Sequence, residues 1–405
     1  MNISRTSVDY ISDCEPPYYR RVPVEPAPVG AAADLPEHLR RRIVVDVVHD
    51  GNVIPAHLLA SEGVRRIEHD GRLWGAYVKE RDWGAGEVAA SLAAALGLDC
   101  YYHVTIARVV MDVNRFPGVS PPHRGPMVRR AISDPLARVL TRDEARSVLN
   151  NYFDDVSDAL EHVIEGSLMR VAIHTYDAHN ETQTKRPEMS IVTASDSYQK
   201  LSRLPYGLYD PLFPDILAEC STKHILRDRV AHTLQRAGIN VTHNYPYAFP
   251  DGSLEVRAMP WLFFTALRRR FEVDFPDTRD DTAYNLVWRM LLNTNQRVAE
   301  TQVLSSYLHR FSPPPVGKAD ELAAAQLAYE RITNYLGQRP ELVEQYRRSP
   351  ERTSSLGVEV RKDLLWRFDE NGTPRSFDVE TAALISRTLA EGVALYLRDD
   401  RVESS

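Results

Sequence analysis

The sequence predicts an α/β protein, with a mixed, largely parallel central sheet flanked by helices and a helical C-terminal region. Three observations carry that prediction. Short apolar or β-branched runs alternate with helix-length stretches between residues 43 and 259, the pattern of strands joined by crossover helices. Beyond about residue 275 the strand-like runs give way to long amphipathic stretches. The hydrophobic share of 43% and charged share of 26% are those of an ordinary globular chain with core enough for more than one domain.

The elements follow in order. Residues 1–35, containing "CEPPYYRRVPVEPAP", are proline-rich and read as an extended arm on the surface. "IVVDVV" at 43–48 is a short buried strand, and "GAGEVAASLAAALGL" at 84–98 is an Ala-rich helix closed by Gly97. "YYHVTIARVVMDV" at 101–113 reads as a strand pair or one long strand. In "TRDEARSVLNNYFDDVSDALEHVIEG" a long helix opens on a Thr141-x-x-Glu144 capping box. "SLMRVAIHTYD" is another buried strand, residues 223–237 a helix, and "INVTHNYPY" and "SLEVRAM" are strand-like. Helical stretches at 281–311, 319–337 and 379–400 complete the chain, with "SPPPVGK" at 312–318 as a linker. The expected organisation is an arm over 1–35, an α/β domain over 36–277 and a mostly helical region over 278–405.

Bulk properties narrow the function. A net charge of −7 argues against a general nucleic-acid binder, which needs a basic face for phosphates. No run approaches the roughly 18 apolar residues that span a bilayer, and residues 1–10 are polar, unlike a secretory leader. Three scattered cysteines (Cys14, Cys100, Cys220) make neither a disulfide framework nor a cysteine-based zinc motif. A cytoplasmic location is the expectation. The chain does not disclose its oligomeric state.

Polar residues gather at three strand ends: His49 in "VVHDG", Asp112, Asn114 and Arg115 in "MDVNRF", and His174 in "AIHTYD". Ligands of open α/β sheets bind at the carboxyl ends of strands, so these positions are candidates for chemistry. Each histidine alone reads more readily as a turn residue or a satisfied histidine than as a ligand. A hydrolytic zinc site takes three His or carboxylate ligands and keeps one position open. Asp82, just before the Ala-rich helix, is the third candidate; it would also serve as an N-cap, and Glu62, Glu68 and Asp70 compete for the role. Glu255, between Leu254 and Val256 on the expected short strand, is a candidate general base, although a solvent-facing glutamate would look the same.

Taken in order, "VVHDGNVIP", Asp82-Trp83, "DVNR", "AIHT", "HNYPY" and "SLEVR" resemble the motifs of the N-formylglutamate amidohydrolase family, itself similar in fold to zinc carboxypeptidases and placed among the phosphorylase/hydrolase-like folds. The likeness runs from about residue 45 to 257. Val48 and Asp50 depart from the family's Pro-His-Ala-Gly, Thr175 replaces a serine, and the Gln of Gln-x-Glu is missing. The resemblance implies zinc held by His49, Asp82 and His174, and Glu255 activating water. It implies Arg115, assisted by Asn114, as the anchor of a substrate carboxylate, which a guanidinium fork matches; Arg115 paired internally with Asp112 is the competing reading. Arg186 is the candidate that polarises the scissile carbonyl, and Tyr247 the candidate that lines the pocket. The expected activity is zinc-dependent hydrolysis of an N-acyl or N-formyl amino acid, or of a peptide's C-terminal residue, the substrate carrying a free carboxylate. A non-catalytic binding protein of the same fold and a peptide-maturation hydrolase are the alternatives. Neither a nucleic acid nor a membrane is an expected partner.

Overall fold

Seven strands pair in the order β1-β3-β2-β4-β7-β5-β6. They are β1 (Tyr19–Pro23), β2 (Ile43–Val47), β3 (Cys100–Val104), β4 (Met169–Tyr176), β5 (Met189–Val192), β6 (Val241–His243) and β7 (Ser354–Arg361). The computed structural model describes residues 10–12, 15–117, 130–195, 210–250 and 252–402; Cys14 and parts of the N-terminal arm lie outside them. The β2–β3, β2–β4, β4–β7 and β5–β6 pairs are parallel, and β1–β3 and β5–β7 are antiparallel. The sheet is therefore mixed and mostly parallel, as the alternation of elements predicts.

The two faces of this sheet differ, and the difference places the site. Side chains alternate across a strand. Val45, Val47, Val171, Ile173, Ile191, Leu356, Val358 and Val360 form one aliphatic face. Four-residue helical spacing supplies its cover: Val88, Leu92 and Leu96 of α1 (Ala85–Leu96), Leu226, Val230 and Leu234 of α2 (His224–Arg236), and Ile385, Leu389 and Val393 of α4 (Val379–Val402). Each such side chain, fully buried, contributes about 1.5–3 kcal/mol. Residues in the other phase are polar. Asp46, Arg170, His174, Ser190, Ser355 and Glu359 occupy neighbouring register positions of β2, β4, β5 and β7, and α3 (Leu254–Asp274) reaches them with its first turn.

Several sequence expectations change. "SLEVRAM" is no strand but the start of the 21-residue helix α3. Ser253 caps it, its hydroxyl accepting the Val256 N–H at 3.3 Å, while Asn114 Oδ1 accepts the Leu254 N–H at 3.0 Å. Two orphan N–H groups thereby find partners, which favours helix over strand. The run at 101–113 is strand only to Val104; it then turns out of the sheet through residues 107–110. The long helix after Thr141 has the predicted capping box but is interrupted by a π turn over Leu149–Phe153. Part of the surface arm enters the sheet as edge strand β1. Within the C-terminal region, residues 282–348 are helical apart from connections, α3's far side packing on Leu286, Trp288, Leu304 and Ile332. That region also contributes β7, which lies between β4 and β5 at the centre of the sheet.

Candidate metal centre

His49 follows β2 by two residues, and its backbone carbonyl accepts the Asp82 N–H at 3.0 Å. This bond holds the loop before α1 against the strand end. Gly51 is required beside it: a Cβ there would lie 2.4–2.6 Å from the carbonyl oxygens of Val104, Thr105 and Ile106. The glycine serves close approach to the segment that continues β3.

Three side chains converge at this end of the sheet. His49, Asp82 and His174 are all buried, and one ligand atom from each lies within 4.8 Å of the others. Asp82 Oδ2 stands 3.1 Å from His174 Nδ1 and 3.5 Å from His49 Nδ1. His49 Nε2 bonds Asp112 Oδ1 at 2.8 Å, and Asp112 Oδ1 also accepts the Asn114 N–H at 2.8 Å. With Nε2–H donating to the carboxylate, the Nδ1 lone pair is left facing the cluster. That Nδ1 is buried and has no hydrogen-bond partner among the described residues. In a tetrahedral zinc site, neighbouring ligand atoms sit about 3.3 Å apart. The donor set, the spacing and the orphaned nitrogen all fit such an ion.

The charged groups of the cluster act strongly on one another. Burial opposes ionisation of Asp82, but Arg108 and the two histidines outweigh it and hold the carboxyl far below its usual range. Asp112 is held low in the same way, by Arg108, His49 and Arg115. Burial would neutralise His174, yet the hydrogen bond to Asp82 and the nearby Glu255 carboxylate raise it to about 10. Glu359 is pushed up by burial, with His174, Arg108 and His49 pulling the other way and Asp82 adding to the rise.

Asp82 alone among the competing carboxylates reaches the cluster. Glu62 and Asp70 are exposed and pair with Arg66 and Arg72, and Glu68 accepts a bond from Tyr10. Asn114 and Arg115 lie beside it. Asn114 Oδ1 is occupied in capping α3, and Arg115 Nε stands 3.5 Å from Asp112 Oδ2, its side chain 17% exposed. Glu255 is fully buried in the first turn of α3, where Oε1 accepts Arg170 Nη1 at 2.8 Å and lies 4.0 Å from His174 Nε2. Arg186 stacks over Tyr247 at 5.0 Å and Tyr176 at 5.7 Å. Tyr176 ends β4 as the register partner of Arg361, which puts this group beside the end of β7.

Three contributors escaped the sequence reading. Arg108 bridges Asp82 Oδ1 at 3.0 Å and Asp112 Oδ2 at 3.2 Å. Arg170 joins Asp46 at 2.8 Å to Glu255, with Tyr19 donating to Asp46 at 3.1 Å. Glu359 is the register partner of His174. A signal existed for two of them: Arg170 and His174 share one face of a strand by their four-residue spacing, and "LGVEVR" alternates as a strand with an inward glutamate.

A mostly parallel sheet bearing a buried His–Asp–His cluster at its strand ends makes this an α/β protein with a candidate metal centre. A family model for N-formylglutamate amidohydrolase matches residues 41–260, more than half of the chain, and the chain belongs to that family of amide-cleaving enzymes. Among solved structures, the N-formylglutamate amidohydrolase from Ralstonia eutropha JMP134 is 14% identical over 94% of this chain and 98% of its own, with a TM-score of 0.46. The gene product Atu2144 from Agrobacterium tumefaciens is 14% identical over 93% and 95%, with a TM-score of 0.42. No curated protein matches. Among the described residues, no helix is long and apolar enough to cross a membrane.

Proposed function

We propose that this chain is a zinc-dependent amide hydrolase acting on an N-formyl or N-acyl amino acid with a free carboxylate. The convergence of His49, Asp82 and His174 around a His49 Nδ1 without a hydrogen-bond partner among the described residues carries the reading. His49 Nδ1, Asp82 Oδ2 and His174 Nδ1 would hold the ion. Zinc supplies Lewis acidity in such a site, polarising the carbonyl and acidifying water.

The chain's own groups do the rest. Glu359 takes a proton from water as the water oxygen adds to the amide carbon. It returns that proton to the leaving nitrogen as the C–N bond breaks, giving a carboxylic acid and an amine. Two carboxylates compete for this task, Glu359 and Glu255. Glu255 is tied through Oε1 to Arg170 and is wholly buried. Glu359 is half-buried, lies beside His174 in the sheet register, and among the described residues has no guanidinium bonded to it. Arg108, with 24% of its side chain exposed, stabilises the developing oxyanion. Arg115 anchors the substrate carboxylate, and Arg186 with Tyr247 lines the opposite rim.

Metal analysis with an activity assay tests the reading. The expected result is about one zinc per chain, hydrolysis of N-formyl or N-acyl amino acids, and loss of both in His49→Ala/His174→Ala. A chain without stoichiometric zinc, or a double variant that keeps it, refutes the proposal.

A further inference from the structure

The residue after His49 and the residue before Asp82 form a buried ion pair, and neither has a part in the chemistry just described. Asp50 Oδ1 accepts Arg81 Nε at 2.6 Å, with each side chain 4% exposed. Asp50 Oδ2 accepts the Gly86 N–H at 2.9 Å in the first turn of α1. Arg81 also donates to Tyr77 at 2.6 Å and lies 4.2 Å over the ring of Trp83. Asp50 is one of the positions where the chain departs from the family's motif.

We infer that Asp50 and Arg81 are positioning residues that clasp the β2 end to the loop before α1 and thereby set the distance between His49 and Asp82. This rests on those two residues being metal ligands. The backbone bond from Asp82 to His49 is a single hinge; the ion pair adds a second tie one residue outward on each segment, so the two segments cannot rotate about the first. The carboxylate at the start of α1 is favoured by the helix dipole and locks the tie to a rigid element. Space for it is made by Gly86, where a Cβ would lie 3.0 Å from Asp50 Oδ2. Groups that orient metal ligands are worth about 10–100-fold in metal affinity when removed.

The test measures zinc affinity by chelator competition and the visible spectrum of the cobalt-substituted protein, in the full chain. The variants are Asp50→Asn, which keeps size and loses charge, Arg81→Met, and the conservative Arg81→Lys. Arg297→Met is the control: Arg297 pairs with Asp154 at 3.0 Å with its side chain 15% exposed, and neither residue bonds His49, Asp82 or His174. The expected result is zinc affinity about 10–100-fold weaker in Asp50→Asn and Arg81→Met, with an altered cobalt spectrum, partial recovery in Arg81→Lys, and wild-type affinity in Arg297→Met. Wild-type affinity and spectrum in Asp50→Asn overturn the clasp, as does an equal loss in the control. Should Asp50→Asn not fold, the Arg81→Lys spectrum decides: a wild-type spectrum at wild-type affinity overturns the inference, and a perturbed one supports it. A wild-type chain that takes up no zinc defeats the metal reading itself, which separates the two failures.

Discussion

Two segments of this chain are nearly the same in sequence and opposite in structure. Leu254-Glu255-Val256-Arg257 opens helix α3, and Val358-Glu359-Val360-Arg361 ends strand β7. What separates them is their surroundings. The first is preceded by Ser253, which caps it, and followed by a helix-length run; Asn114 takes up another of its N–H groups. The second sits between β4 and β5, whose backbones leave room only for a strand. The glutamates diverge accordingly. Glu255 is drawn into the Arg170–Asp46–Tyr19 network and held well below the usual carboxylate range, burial being overcome by Arg170 and His174. Among the described residues Glu359 has no guanidinium bound to it in this way, and burial keeps it high. A carboxylate already paired is a poor proton acceptor, and one pushed up by its surroundings is a better one.

The largest effect should come from exchanging each glutamate for glutamine. In Glu359→Gln, kcat is expected to fall by about 10²–10⁴-fold with zinc retained. In Glu255→Gln, kcat should change by less than about tenfold, the cost appearing in stability because Arg170 loses a charged partner. Steady-state kinetics with metal analysis decides between them. If Glu255→Gln abolishes turnover while Glu359→Gln does not, the two roles must be exchanged.

How far these assignments were legible in the sequence follows the same contrast. The sheet, the helices, the two strand-end histidines and Asp82 rest on local patterns: alternation, four-residue spacing, a residue just before a helix. Glu359, the base proposed above, was hidden because its place beside His174 depends on a strand from the last quarter of the chain lying between β4 and β5, and strand order is not a local property. Arg108 was hidden by its neighbours. Val104, Ile106, Val109 and Val110 read as strand, yet the chain turns there and swings the guanidinium over Asp82 and Asp112. The assignment of "SLEVR" to a strand shows the converse: a cap and a partner from another segment outweighed a short β-like run.

Removing the cation that holds Glu255 is the next largest probe. Arg170→Met leaves Asp46 and Glu255 as buried carboxylates without their common counter-ion. The expected loss is about 3–5 kcal/mol in urea denaturation. A loss under about 1 kcal/mol would mean that the network contributes little, and that Glu255 is held by its helix alone. The comparable change in β7, Arg361→Met, removes a pair with the half-exposed Asp363 and a bond to the Arg186 carbonyl, and should cost less, about 1–2 kcal/mol.

The arginines of the two segments differ too, and pH reads that difference. Arg257 is buried, which lowers its pKa to about 10, and its field acts on Glu161. Burial nevertheless raises Glu161 to about 7, Arg257 offsetting only part of the rise. The folded protein therefore keeps a proton that the unfolded chain loses between its ordinary value of 4.5 and about 7. This group's contribution to stability is highest below that window and declines as pH climbs through it. Glu161→Gln removes the decline, so the variant should gain on the wild type by about 1–2 kcal/mol between pH 5 and pH 8. Denaturation midpoints for both proteins at the two pH values measure it, and a difference independent of pH would contradict the raised value.

The smallest effect isolates what makes the first segment a helix. Ser253→Ala deletes the side chain that accepts the Val256 N–H and leaves that donor without its cap, a change worth about 1 kcal/mol at a helix start. Since Asn114 Oδ1 still takes the Leu254 N–H, the first turn should stay helical and Glu255 should stay on Arg170. The expected variant is slightly less stable, with unchanged zinc content and kcat. If Ser253→Ala instead lowered kcat as strongly as Glu359→Gln, the first turn of α3 would have to act on the reaction directly, and the division of labour between the two glutamates would fail.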